Sequence, residues 1–380
     1  MAKAIKTLLI FCLLTISLAV EAQQRVTGQI TNAQDGTPMS GASVFISGTT
    51  ISTQSDRDGN FSLTVPIQGS FQVVVSHIGF ESVSRTIDLP QPSHHINVAL
   101  QEQATVLSEV VVTPGIPHTR SDENLFWQIL LGERPSNRGM QVLNPDVVQF
   151  SLNADGVLRV FADEPIEIIN HHLGYRITYV LLNFTHNSQS EETLLSGMPF
   201  FTELTPQNNR QRNSWESNRQ ITYSASLIRF IRALYQEQLH ENGFLLVKIG
   251  EPTDILLLSV FFWLPDHPVP LTQSNLIPLS LTQANILQRD EDVVRLHITE
   301  TIVLAMLSRP ITPQMLEDPN RTLFGRRAAY PIIKLLPLDI VIFSDGSYSG
   351  VWNISEYRGS ITGLNAKLPI EFGMSENTVQ

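Results

Sequence analysis

Cysteine is almost missing from this chain: the 380 residues hold one, Cys12, and it lies inside an apolar leader. Lys3 and Lys6 precede the run Leu8–Val20, and Val20-Glu21-Ala22 offers a small-residue cleavage site before Gln23. Residues 1–22 therefore read as a secretory signal peptide. At thirteen residues the run is too short for a bilayer core of ~30 Å, which takes about 20 residues of helix. Phe11 stands just before Cys12, where lipid attachment wants a small residue. Cleavage after Ala22 removes Cys12, and disulfides, thiol catalysis and cysteine metal sites go with it. The fold is then held by its core alone.

Positive charge is scarce as well. Lys and Arg number 25 against 36 Asp and Glu, a net charge of −11 at pH 7. Phosphate contacts need clustered Lys and Arg, so no nucleic acid is expected as a partner. Long apolar runs are missing too. Ile255–Leu264 is the longest after the leader, and ten residues suit a buried strand, so no transmembrane segment is expected after signal removal. The chain is predicted to be secreted across the inner membrane, to the periplasm or the outer-membrane surface. About 360 residues remain after cleavage, room for two domains.

What is present begins with short alternating strands separated by turns. Phe61, Leu63 and Val65 alternate with Ser62 and Thr64, and Phe71, Val73, Val75 and His77 repeat the pattern, as do Val83, Arg85 and Ile87, then Ile96, Val98 and Leu100. Asp35-Gly36 and Asp58-Gly59 supply turns and Pro38 another. With Val26–Thr31, Ser43–Ile46 and Ile51–Gln54, about seven strands emerge, the spacing of a β-sandwich. Asp56-x-Asp58-Gly59-Asn60 has the look of a calcium loop, but the glycine is fourth and Ile67 holds the twelfth position, so a hydrogen-bonded turn is expected. His77 is expected to be a hydrogen-bonded core histidine.

Residues 23–103, through Val26-Thr-Gly-Gln-Ile-Thr, Gly36-Thr-Pro38, Gly41-Ala-Ser-Val-Phe-Ile and Val73-Val-Val-Ser-His-Ile-Gly79-Phe80, resemble the carboxypeptidase-regulatory-like module, a transthyretin-type sandwich. The resemblance implies docking rather than chemistry. The module often stands at the N-terminus of TonB-dependent receptors of Bacteroidetes-type bacteria, where a segment like Leu107-Ser-Glu109-Val-Val-Val-Thr113 leads to a plug and barrel. Residues 104–120 are read as that connector strand and linker. The roughly 270 residues after Thr113 are too few for a plug and a barrel of about 22 strands, and the chain ends in Thr-Val-Gln380 rather than an aromatic. A transporter is not expected.

Residues 121–372 read as an α+β domain of unknown function, with 373–380 as a tail, so the expected class is mainly β, α+β. Ser121 caps a short helix closed by Gly132. Strands flank Asp155-Gly156 and continue through Glu164–Asn170 and Leu173–Phe184. Leu227, Phe230, Ile231 and Leu234 recur at helical spacing in one long helix ending at Asn242-Gly243. Strands Phe244–Ile249, Ile255–Leu264 and Val293–Leu307 follow, and then a hairpin from Asp339 to Trp352 turning at Asp345-Gly346. This part resembles a domain that follows the sandwich in many Bacteroidetes-type envelope proteins. The resemblance rests on Phe126-Trp-Gln-Ile-Leu-Leu-Gly132, Leu143-Asn-Pro145, Ile166–Asn170, Leu173-Gly-Tyr175, Asn218-Arg219-x-x-x-Tyr223-x-x-Ser226, Phe230-x-Arg232-Ala-Leu and Gly243-Phe244. It implies no activity.

No complete catalytic constellation stands in the sequence. His297-Ile-Thr-Glu300 matches the start of a carboxypeptidase zinc site, but on an alternating strand i and i+3 point to opposite faces, and no third ligand is recognisable. His94-His95 and His171-His172 diverge if extended. Gly346-Ser-Tyr-Ser-Gly350 puts Tyr348 where a hydrolase elbow needs its nucleophile. Glu164 and Glu167 form a glycosidase pair only at a fixed spatial separation. Asn170, Tyr175, Arg176, Asn218 and Arg219 interrupt strong strand and helix signals. They form either a ligand-binding concavity or, the plainer reading, a buried hydrogen-bond network holding helix against sheet. No catalytic, cofactor-binding or metal residue is assigned and no cofactor is expected. The expected function is a non-enzymatic cell-envelope module that docks protein or glycan partners; the alternative is a hydrolase with its site in residues 121–372.

Overall fold

The computed structural model describes residues 24–67, 69–89, 93–103, 117–132, 136–190, 192–249, 276–279, 287–290, 293–299, 302–307, 309–317, 332–335, 338–344, 346–349, 354–358 and 363–374. The leader read as a signal peptide, with Cys12, the segment Leu107–Thr113 read as a connector, the run Ile255–Leu264, Glu300, Asp345 and Gly350 lie outside the described residues.

The N-terminal part is a sandwich of eight strands. One sheet has the order β4 (Asn60–Val65), β1 (Gln24–Asn32), β7 (Ser93–His95), with β8 (Val98–Leu100) also on β1. The other runs β3 (Ser52–Gln54), β2 (Ser43–Ile46), β5 (Gly69–Ser76), β6 (Val83–Leu89). Strict alternation buries Phe61, Leu63 and Val65 of β4 and leaves Asn60, Ser62 and Thr64 in water. Val26, Ile30, Val44, Ile46, Val73, Val75 and Leu100 complete the core. His77 is not in it. β5 ends at Ser76, and His77 sits half-buried in the following turn, near the Ile78 carbonyl (Nδ1 to O 3.0 Å) and edge-on to Phe80.

A second sheet follows helix α1 (Arg120–Leu131). Its order is β10 (Val148–Leu152), β11 (Val157–Ala162), β13 (Tyr175–Asn187), β12 (Ile166–Asn170), β9 (Met140–Val142), with β14 (Glu192–Glu203) along the other side of β13. The cap of α1 is Thr119 rather than Ser121: Thr119 and Asp122 form a reciprocal capping box, which Ser121 lies inside. Phe126 and Leu130 seal the sheet's inner face with Ile166, Ile168, Tyr175, Ile177 and Phe201.

A helix outside the helical signal, α2 (Asn209–Ser224), comes first, and the signal from Leu227 falls on α3 (Leu227–Tyr235). Helix α3 stops well before Gly243. The Gln238 N–H donates to the Ala233 carbonyl and Glu237 N–H to Leu234, with Glu237 at φ +57°. That is a Schellman closure with glutamate where glycine is usual. Beyond it, β16 (Leu276–Pro278), β15 (Phe244–Ile249), β19 (Ile302–Met306), β20 (Ile332–Leu335) and β23 (Ile354–Arg358) form one sheet. β17 (Leu287–Asp290), β18 (Val293–Ile298), β21 (Leu338–Phe343) and β22 (Tyr348–Ser349) form another. The two share a core with Phe230, Ile231 and Leu234 of α3. Short helix α4 (Pro313–Glu317) and Ile311 pack behind β15 and β19. The run Val293–Leu307 is thus two strands in different sheets.

Several features join the sandwich to the rest, among them an apolar contact and a C-terminal strap. Phe45 and Val74, on its outer face, pack against Val180 and Met198 of the β13–β14 hairpin. Residues 363–374 form a strap. Leu364 and Leu368 enter the core around Phe126, while Ile370 and Met374 pack on the sandwich core. The Ile370 N–H donates to the Gly48 carbonyl, and Arg232 donates to the carbonyls of Ile370 and Phe372.

Candidate functional site

The polar residues singled out above surround the turn between β12 and β13, Asn170-His-His-Leu-Gly174. A tight turn leaves successive carbonyls without a strand partner, and buried carbonyls must be paired. Helix α2 supplies the donors. Trp215, Asn218 and Arg219 stand at i, i+3 and i+4 and so share a face. Trp215 Nε1 donates to the His171 carbonyl (2.9 Å), Asn218 Nδ2 to His172 (2.9 Å), and Arg219 Nε to Leu173 (2.7 Å). A terminal nitrogen of Arg219 reaches the Gly174 carbonyl at 3.2 Å. Four consecutive carbonyls are capped by one helix face.

From the strand side, Asn170, 1% exposed, accepts from the N–H groups of His172 and Leu173 through Oδ1. Gly174 takes φ +73°, and a Cβ there would sit 2.3 Å from the Trp215 ring. The glycine lets indole and turn meet. Arg219 lies with its guanidinium carbon 4.0 Å from the Tyr175 ring centroid and donates to Glu203 (3.0 Å). Burial, opposed by Arg219, raises the Tyr175 phenol well above its ordinary pKa. The phenol stays neutral.

Asn170, Tyr175, Asn218 and Arg219 are therefore brought together, with their polar atoms on internal partners, as in the hydrogen-bond-network reading. Arg176 is not among them. It points to the opposite face, where it pairs with Glu167 (2.8 Å), which also accepts from Thr178. Trp215 and Glu203 complete the cluster. Trp215 was detectable only as the one tryptophan in a polar helix, and Glu203 gave no signal.

The remaining candidates disperse. His171 Nε2 lies 3.0 Å from Gln141 and His172 Nδ1 3.3 Å from Asn218; His94 turns to the Asp88 carbonyl and His95 to Thr27. Each pair diverges. His297 faces Asp339 across β18–β21 at 3.4 Å. Asp56 accepts from the N–H groups of Asp58 and Asn60 and closes a turn. Glu164 is exposed. Among the described residues, no group of three or more His, Cys, Asp or Glu is placed to hold a metal ion.

The strap adds a buried carboxyl that the sequence did not advertise. Glu371 accepts from the Thr50 N–H (2.8 Å) and Oγ1 (2.9 Å), while its second oxygen is buried with no hydrogen-bond partner among the described residues. Burial raises its pKa; the Thr50 hydrogen bonds and Arg232 oppose the rise.

Residues 26–112 match the family described as the CarboxypepD_reg-like domain. The chain is 33% identical over 111 residues to TonB-dependent receptor P3 of Formosa agariphila, covering 29% of this chain and 11% of that protein. It is 38% identical over 97 residues to TonB-dependent receptor SusC of Bacteroides thetaiotaomicron, covering 26% and 9%. The match thus spans about a tenth of these relatives' length. Among solved structures, the pilus 2b backbone protein of group B streptococcus aligns over 22% of this chain and 42% of its own, at 11% identity and a TM-score of 0.19, too low to build on. Among the described residues, no helix is long and apolar enough to cross a membrane.

Proposed function

We propose that this is a non-enzymatic protein of the cell envelope that docks a protein partner through the open side of its N-terminal sandwich. Its regulatory-like module and its similarity to TonB-dependent receptors support the compartment. The observation that carries the docking reading is how the sandwich is mounted. It is attached through the outer faces of β2 and β5, while among the described residues β6 ends that sheet and pairs only with β5. Ile78, at the turn leading to this edge, is 81% exposed. A one-sided strand presents a row of backbone N–H and C=O groups that a partner strand can extend. An apolar tip beside it adds an anchor. A glycan has no backbone repeat to match such an edge, so a protein is favoured.

Deleting the sandwich would also uncover Val180 and Met198, so a point change is the cleaner test. Crosslinked capture from the cell envelope should recover one dominant protein with the wild-type chain and much less with Ile78→Asp. Equal recovery with both refutes this surface.

A further inference from the structure

The second sheet has an open edge of its own, on β14. At one end of that strand the sandwich is already paired: the Gly48 N–H donates to the Pro199 carbonyl (2.7 Å) and the Phe201 N–H to Thr49 (3.0 Å). Pro199 and Phe201 thus turn their backbone groups away from β13. Thr193, Leu195 and Gly197 share that parity, and their outward groups have no hydrogen-bond partner among the described residues. Natural edges are usually blunted by charge, proline or a cover. Thr193 to Met198 contains neither charge nor proline, and the β-bulge of this hairpin lies on β13, at Leu181/Asn183.

The side chains here are apolar on both faces. Leu195 is half-buried at the rim of the core around Phe126. On the outer face, Leu194 is 55% exposed, and Leu182, in the bulge, is 50% exposed. The register places Leu194 opposite Thr185, within two cross-strand rows of the bulge that carries Leu182. The face continues the one that, further along the hairpin, meets Phe45 and Val74 through Val180 and Met198.

We propose that β14 pairs antiparallel with β14 of a second copy of this chain, about a two-fold axis at Leu195. A two-fold contact must complement itself, and this strand does. Leu195 faces Leu195, joining the rims of two cores. Thr193 faces Gly197, a position without a side chain of its own. Leu194 lies beside Ser196 and diagonal to the other Leu194, within reach of aliphatic contact. The pairing continues along the edge that Gly48 and Thr49 already occupy, so engaged outward groups run from Thr193 through the Pro199 carbonyl to the Phe201 N–H.

Sedimentation equilibrium on residues 23–380 tests this, with wild type, Leu194→Lys and Thr193→Pro compared. Wild type should sediment as a dimer. Leu194→Lys sets two like charges diagonally across the axis and should weaken association about tenfold or more. Thr193→Pro removes an outward N–H while leaving the backbone ladder to β13 in place, at the loss of the Thr193 hydroxyl's contact with His186 Nδ1 (2.8 Å), and should act in the same direction. Far-UV circular dichroism and melting of each variant report whether the fold is kept; Leu194 is exposed and tolerates the change. A monomeric wild type overturns the proposal, as does a dimer that neither variant weakens.

Discussion

Replacing Arg219 with alanine should destabilise the fold by about 3–6 kcal/mol, the sum of what its contacts contribute. The side chain is 10% exposed. Its bond to Leu173 serves a buried carbonyl with no other hydrogen-bond partner among the described residues, whereas the Gly174 carbonyl also accepts from the Leu204 N–H. A charged hydrogen bond with its orphaned acceptor accounts for about 2–3 kcal/mol. The guanidinium over Tyr175 adds about 1–2 kcal/mol in a desolvated setting. The Glu203 carboxylate is largely exposed, so that ion pair adds roughly 0–1 kcal/mol. Arg219→Lys keeps the charge but not the planar fork, and should lose about half as much. Urea denaturation followed by circular dichroism measures both. If Arg219→Ala lowered stability by less than about 1 kcal/mol, the guanidinium would be held for a ligand, and the structural reading of the cluster would be wrong.

Other consequences follow from the same geometry. Gly174→Ala combines a positive φ with a clash against Trp215, so its melting temperature should fall well below that of Gly36→Ala, which has a similar φ (+72°) but open space around it. Comparable melting of the two would contradict the packing described. Arg176→Ala breaks a half-exposed pair with Glu167 and should change stability by less than about 1 kcal/mol in urea titrations. Because burial raises the Glu371 pKa, the folded chain holds this proton to higher pH than the unfolded chain. Stability therefore declines as pH rises from the ordinary carboxylate range through the raised folded value. Glu371→Gln keeps an acceptor for Thr50 and removes the charge. Its melting advantage over wild type should be largest at about pH 8 and shrink towards about pH 4; a difference independent of pH would contradict this account.

The sandwich was legible because alternation is a strong signal where one face is buried and the other wet: β4 reads out, in, out, in over Asn60 to Val65. The hairpin at Asp155-Gly156 and the turn at Gly346 were legible for the same chemical reason, glycine at positive φ. Helix α2 was not. Its sequence, Asn-Arg-Gln-Arg-Asn-Ser-Trp-Glu-Ser-Asn-Arg-Gln-Ile-Thr-Tyr-Ser, buries only Trp215 and Arg219 and has no apolar period to detect. What holds it is the set of turn carbonyls, and backbone acceptors carry no side-chain signature. The end of α3 was misplaced because Glu237 adopts the left-handed closing position that sequence reading reserves for glycine.

Of the polar five, residue type indicated that Asn170, Tyr175, Asn218 and Arg219 had work to do inside the molecule, but not whether a ligand or the backbone was the partner. The paired residues lie roughly 45 positions apart in sequence, as Asn218 and Arg219 are from the turn they cap. Such a distance is closed by topology, not by spacing. Arg176 looked equivalent and is not, since one step along a strand reverses the face. The strap residues Glu371 and Leu368 were invisible for a similar reason: twelve residues of irregular chain show no period, and their burial depends on elements formed far upstream.

The most direct test of docking by the sandwich places a photoreactive side chain at position 78 of the full chain and, as a control, at position 221, a comparably exposed apolar site on α2. After irradiation in the native envelope, position 78 should crosslink to one dominant protein that position 221 does not capture. Identical products from the two positions, or none from position 78, would contradict the account.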